Sequence, residues 1–241
     1  MEKGDISHHI SQDFNEELQE VHTRVLTMGG LVEKQISDAI SALVTCDGHL
    51  GEEVATADYK VNSMEVGVDE ECSRILARRQ PAAGDLRMVM MIIKTITDLE
   101  RIGDEAEKIA RIAVQLSEVE RPKNQLTEIR HIGDHVRRML RGALDAFARM
   151  DVDAALDVAK QDAQADREYE SVMRQLMTFM MEDPRSIRWI IDIMWCARAL
   201  ERIGDHSTNI CEYVIYMVHG KDVRHTTLAE MEKATKAAKR H

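Results

Sequence analysis

Apolar residues recur along this chain at intervals of three and four. In the first long stretch they fall at Val25, Met28, Val32, Ile36, Ile40 and Leu43, one face of a helix over residues 13–46. Val54, Val61, Met64, Val68 and Ile75 mark a second helix over 51–79. Ile92, Ile96, Leu99, Ala106 and Ala113 mark a third over 85–116, with Asp85 as its N-cap. The same order returns over 126–150, 152–181 and 186–218. Short connections make neighbouring helices antiparallel, so each set of three is an up-down-up bundle. The pattern predicts an all-α protein of two tandem three-helix bundles.

The second set is a copy of the first. LERIGD occurs at 99–104 and again at 200–205, an offset of 101 residues. Upstream, MGGLVEKQISDAISALVTCD from Met28 aligns with IGDHVRRMLRGALDAFARMD from Ile132 at an offset of 104, which also sets Asp58 on Asp162 and Asn62 on Asp166. The register shifts between RRQPAAGDLR and MEDPRSIR, where Pro81 and Pro184 mark turns, as expected when a packed unit is duplicated and only its loops change length. The expected organisation is a first bundle over 1–120, a second over 121–220 and a basic tail over 221–241.

Composition supports helices throughout. Of 241 residues only three are proline and twelve glycine, aromatics are 4%, and methionine reaches fifteen. The formal net charge of -11 argues against a nucleic-acid partner, which requires a dense cationic field. KATKAAKRH at the end is basic and reads as a solvated tail. MEKGDISHHI has no apolar core of a signal peptide, and MVMMII at 88–93 is too short to span a bilayer, so a cytoplasmic protein is expected. Cys46, Cys72, Cys196 and Cys211 have no CxxC spacing and read as reduced, structural thiols.

Chemistry concentrates in the repeated acids. Glu100 and Asp104 stand four apart on one helical face, as do Glu201 and Asp205, although like charges at that spacing repel. Asp162 and Asp166 form a further pair on the preceding helix, matched by Asp58 and Asn62. If the second and third helices of each bundle run antiparallel, these groups converge on the seam between them. Converging carboxylates need compensation, and an oxygen-only set suits Fe, Mn, Mg or Zn. Gly103 and Gly204, costly inside a helix, point to the close approach of another helix or a ligand. The competing reading is a solvated face laced by Arg101, Lys108, Arg198 and Arg202. His131 and His135, with Glu128, read as surface, and so does His206. The methionine-rich runs read as core. No phosphate loop, nucleophile elbow or HExxH occurs.

At RRQPAAGDLRMVMMIIKTITDLERIGDEAEKI and ALERIGDHSTNICEYVIYMVHGKDVRH the chain resembles the PhoU family of bacterial phosphate-transport accessory proteins. That resemblance implies two tandem three-helix bundles and a regulatory, non-enzymatic role. It implies a cytoplasmic negative regulator of the phosphate-starvation response, coupling the ATPase subunit of the phosphate ABC transporter to a sensor histidine kinase and meeting the membrane only through partners. It further implies metal ions on Glu100, Asp104, Glu201, Asp205, Asp162, Asp166 and Asp58, with Asn62 departing from an all-acid pattern. A homodimer is expected because a two-bundle rod leaves long helix faces open. The alternative is a carboxylate-bridged metalloenzyme or metal-storage bundle, for which the duplicated Glu-x-x-His pairs are missing.

Overall fold

The computed structural model describes residues 3–119, 126–224 and 226–238, and among these every regular element is helical. The first half consists of α1 (Lys3–Thr45), α2 (Gly48–Ala57), α3 (Tyr59–Arg79) and α4 (Ala83–Leu116). The second consists of α5 (Thr127–Arg149), α6 (Val152–Ala159), α7 (Asp162–Glu182) and α8 (Ile187–His219), with a 3-10 turn at Pro184–Ser186 before α8 and α9 (Leu228–Ala238) after it. The expected boundary between the halves, at 120–121, lies outside the described residues.

The two long helices expected at 51–79 and 152–181 are each broken once. Asp47 and Asp151 cap the starts of α2 and α6, accepting from the backbone N–H of Leu50 and Ala154, each at 3.0 Å. At Asp58 the chain stays in the right-handed region, but the Val61 N–H reaches back to the Asp58 carbonyl at 2.9 Å, a tightened turn. The apolar period conceals this break because the stripe crosses it in register: Val54, Val61 and Val68 are all buried. The break frees the Asp58 side chain from capping and turns it into the bundle.

The halves lie side by side, not end to end as a rod. α4 runs along α1 on one flank and α8 on the other, while α5 runs along α8 and also meets α1, so four long helices close a ring with α2–α3 and α6–α7 outside. The reason is on α4, which buries Met91, Ile102 and Ile109 beyond the single stripe read from its sequence; one stripe serves its own bundle and the other serves α8. The crossing of α1 and α5 is equally close and obeys the repeat. A Cβ on Gly29 would lie 2.6 Å from Leu144 Cδ2, and one on Gly133 would lie 2.5 Å from Ile40 Cδ1, where Ile40 and Leu144 are repeat-related positions. The halves are thus related by an approximate two-fold axis.

The segment expected as a solvated tail contains α9. Met231 and Thr235, one turn apart, are buried, α9 rests on α6 and α8, and Glu232 meets Lys160 at 3.5 Å. Its last residues, from 239 onward, lie outside the described set. No helix among the described residues is long and apolar enough to cross a membrane.

Candidate metal centres

Each half brings three carboxylates together beside its LERIGD turn. In the first, oxygens of Asp58, Asp104 and Glu107 lie within 4.8 Å of one another; in the second, those of Asp166, Glu201 and Asp205 do so. α3 and α7 supply or border the acids of one wall, and α4 and α8 supply the other, across the seam expected from the sequence. No lysine or arginine among the described residues forms an ion pair with Asp58, Asp104, Asp166 or Asp205. Lys108 and Arg202 both turn to Glu105 instead, at 2.9 and 3.1 Å. Of the predicted ligands only Glu201 is bridged, by Arg198 at 2.6 Å.

The consequence is a set of carboxyls that resist ionisation. Desolvation by the surrounding helices pushes Glu201 and Asp205 up from the ordinary range, the Asp162 and Asp166 charges add to it at both, and Asp205 presses further on Glu201. Burial likewise raises Asp162, with Asp166 contributing and a hydrogen bond from Thr208 opposing. In the first half, burial raises Asp58, Glu100 and Asp104; the Asp104 charge presses further on Glu100, and Lys108 partly relieves Asp104.

Three predicted ligands, Asn62, Glu100 and Asp162, lie outside the three-oxygen sets. Asn62 donates from Nδ2 to Asp58 Oδ2 at 3.1 Å, so its amide steadies the carboxylate. Asp162 accepts from the Thr208 hydroxyl at 3.2 Å and stands beside the second cluster, as Glu100 stands beside the first, outside each three-oxygen set. Glu107 was missed, and the repeat explains it. Glu107 is repeat-related to Thr208, and Asn62 to Asp166. Each half therefore keeps four acids, but the first carries its fourth on α4 where the second carries it on α7. An amide at 62 against an acid at 107 was the available signal.

The oxygen-only donor set fits a hard or borderline cation, and two buried atoms strengthen the fit. Glu201 Oε2 is buried without a hydrogen-bond partner in the second cluster, and Gln35 Oε1 is buried without one beside Asp58, to which Gln35 donates from Nε2 at 3.2 Å. A cation would satisfy the first and offset the repulsion of its neighbours.

The two LERIGD glycines differ. A Cβ on Gly103 would meet Asp58 Oδ1 at 3.2 Å and Gln35 Oε1 at 3.4 Å, so the site itself crowds that helix; on Gly204 the nearest atom, Val136 Cγ1, is 3.6 Å away, an ordinary contact. Gly204→Ala is therefore expected to stabilise the protein by up to about 1 kcal/mol through helix propensity, while Gly103→Ala forfeits that gain by displacing Asp58. Urea unfolding of both variants checks the contrast.

The histidines depart from their expected surface positions. His135 is buried, with Nδ1 2.9 Å from Glu168 Oε2, tying α5 to α7; only His131 remains exposed, 3.8 Å from Glu128. His206 is buried at the α4–α8 seam, 2.6 Å from Asp98. Both face carboxylates across helix pairs, a relation that periodicity within one helix cannot express.

The PhoU domain family model matches residues 25–113 and 129–214, one copy in each half. The chain is 57% identical over 229 residues to the phosphate-specific transport system accessory protein PhoU homolog of Pseudomonas putida, spanning 95% of this chain and 90% of that one. It is 49% identical over 234 residues to the phosphate-specific transport system accessory protein PhoU of Escherichia coli K12, spanning 97% and 96%. The crystal structure of PhoU from Pseudomonas aeruginosa superposes with a TM-score of 0.84 at 54% identity, covering 86% of this chain and all of that one. The PhoU regulatory protein of Streptococcus pneumoniae gives 0.80 at 30% identity, covering 87% and 99%.

Proposed function

This chain belongs to the PhoU family, and from that premise we propose that it restrains phosphate uptake and the phosphate-starvation response as a cytoplasmic, non-enzymatic adaptor. Its partners in this reading are the ATPase subunit of the phosphate transporter and a phosphate-sensing histidine kinase. The relatives are named as accessory proteins of phosphate-specific transport, which supports a regulatory role.

The carrying observation is the pair of carboxylate clusters, one per repeat, whose members lack basic partners except at Glu107 and Glu201. Asp58, Asp104 and Glu107 would hold a cation in the first half, and Asp166, Glu201 and Asp205 in the second, with Glu100 and Asp162 at the margins. A bound Fe, Zn, Mn or Mg ion supplies positive charge that locks α3 to α4 and α7 to α8. Glu107 and Glu201 are meanwhile held in place by Arg111 and Arg198. Asn62 and Gln35 orient Asp58, and Thr208 orients Asp162. This is a device for stiffening helices, which suits an adaptor better than an enzyme. The histidines that an oxidase of the carboxylate-bridged type would place among the acids are engaged elsewhere, His135 with Glu168 and His206 with Asp98.

Deleting the gene in its own bacterium is expected to leave a phosphate-starvation reporter expressed in phosphate-rich medium, with repression restored by the plasmid-borne chain. Normal repression in the deletion strain would overturn the adaptor reading. Elemental analysis of protein prepared without chelator tests the cation part separately.

A further inference from the structure

The approximate two-fold axis gives every contact between α4 and α8 a counterpart at the other end of the seam. At one end Asp98 is buried and closed over: His206 lies on it, Asn209 donates from Nδ2 at 3.1 Å, the Tyr213 hydroxyl donates at 2.7 Å, and the Lys94 ammonium sits 5.5 Å from the Tyr213 ring centre. At the LERIGD offset the counterparts of Asp98, Tyr213 and Lys94 are Ala199, Ile112 and Trp195. A carboxylate has become a methyl group, a phenol an aliphatic chain, and a lysine an indole. The space that Tyr213 fills at one end is an open groove of about 410 Å³ at the other, lined by Ile112, Ala199 and Trp195.

The rim of this groove carries four cations in a chain of net charge -11: Lys108 and Arg202 share Glu105, Arg111 bridges Glu107 and Arg198 bridges Glu201, so cations exceed acids by one and all four remain about half exposed. Trp195 is 64% exposed, and Ile191 and Ile187 continue an exposed apolar line from it along α8 at intervals of four. Apolar floor, exposed indole and cationic rim are the complement of one kind of ligand. We propose that this groove docks an acidic segment of a partner protein through one bulky apolar side chain, which occupies the place of the missing phenol while flanking carboxylates meet the arginines. The proposal rests on the adaptor reading only in taking the ligand to be a protein. A polypeptide is favoured over a nucleic acid because the floor is aliphatic and takes a single apolar side chain.

Binding is read by fluorescence anisotropy with the full chain and a fluorescein-labelled hexapeptide, Glu-Asp-Leu-Phe-Asp-Glu, beside two control peptides, Lys-Lys-Leu-Phe-Lys-Lys and Glu-Asp-Ser-Ser-Asp-Glu, and ten-nucleotide oligothymidine. Saturable binding of the first alone is expected, weakening as salt rises, with the Trp195 indole resonance shifting and that of buried Trp189 staying fixed. Ile112→Tyr, which fills the groove as Tyr213 fills its counterpart, is expected to weaken binding at least about 10-fold, and Trp195→Lys to do the same from the exposed lip, where folding is not at stake. Absence of saturable binding, equal binding of the basic peptide, binding of oligothymidine in preference, or full affinity in Trp195→Lys would each overturn the proposal. Such failure leaves the deletion phenotype untouched, whereas normal repression in the deletion strain leaves the groove's affinity untouched, so the two readings fall separately.

Discussion

Replacing Glu201 and Asp205 together by their amides, Glu201→Gln with Asp205→Asn, is expected to remove the cation response of the second half while making cation-free protein more stable at pH 7. Two opposed terms meet here. Without a cation, burial and the charges of neighbouring acids hold both carboxyls above their ordinary pKa, so their ionised forms work against the fold. With a cation bound at a hundred times its dissociation constant, the fold gains about 2.7 kcal/mol, or roughly 5–10 °C in a chain of this length. Titrating Mn²⁺ while following thermal unfolding separates the two. The wild-type midpoint should climb; the double variant should begin higher and retain only the response of the first cluster. A variant that begins lower, or climbs as far as the wild type, would contradict the assignment.

The pH dependence follows with a definite sign. Asp58, Glu100, Asp104, Asp162, Glu201 and Asp205 all have folded values above their unfolded ones. Their contribution is fully present below the unfolded range, near 4, and is lost as pH rises through the raised folded values. Glu212, held up to about 7 chiefly by burial, extends that window to neutrality. Opposing shifts at Glu17, Asp183, Asp222 and Glu230 come chiefly from hydrogen bonds at exposed or partly exposed sites screened by solvent, and among the described residues His22, lowered by burial, alone opposes the seven raised carboxyls within this window. Cation-free protein should therefore gain stability as pH falls from 7 toward 5. Cation-loaded protein should lose it, because protons compete for the same oxygens.

What the sequence showed and what it hid divide along a physical line. Spacing within one helix was legible in the stripe of α1 and the LERIGD pairs, and antiparallel packing then set Asp58 with Asp104 and Asp166 with Asp205 on the seam of each half. Duplication made those readings firmer, since two copies had to obey one geometry. Other relations between helices were hidden. Asn62 reads as a lost ligand when compared only with Asp166, yet Glu107, on the facing helix, restores the acid. The ring of four long helices was invisible for the same reason: a second buried face on α4 looks like a broadening of the first until α8 is known to lie against it. Ala199, Ile112 and Trp195 are unremarkable singly and mean something only against Asp98, Tyr213 and Lys94.

Asp98→Ala is expected to produce the largest loss of stability of any single change at the seam between the halves, about 2–4 kcal/mol by the cost of leaving the partners of a buried carboxyl unpaired. Asp98 is 3% exposed and accepts from Asn209 and Tyr213 while His206 Nδ1 lies 2.6 Å away, so truncation deprives buried His206 and half-buried Asn209 and Tyr213 of a shared partner. Asp98→Asn keeps the volume and one acceptor oxygen and should cost less. The distinctive expectation is non-additivity. Tyr213→Phe removes a hydroxyl that donates to Asp98, so combining it with Asp98→Ala should cost markedly less than the two single changes together. At the other end Ala199 stands at the counterpart of Asp98, and the buried carboxylate is instead Glu105, the counterpart of His206, which meets Arg202 across the seam at 3.1 Å. The double variant Asp98→Ala with Tyr213→Phe removes the phenol that Asp98→Ala leaves without its acceptor, so it should recover part of the stability that the single change loses. Urea unfolding of the four proteins in the cycle measures the coupling, and strict additivity would mean that the carboxylate does not hold the two repeats together.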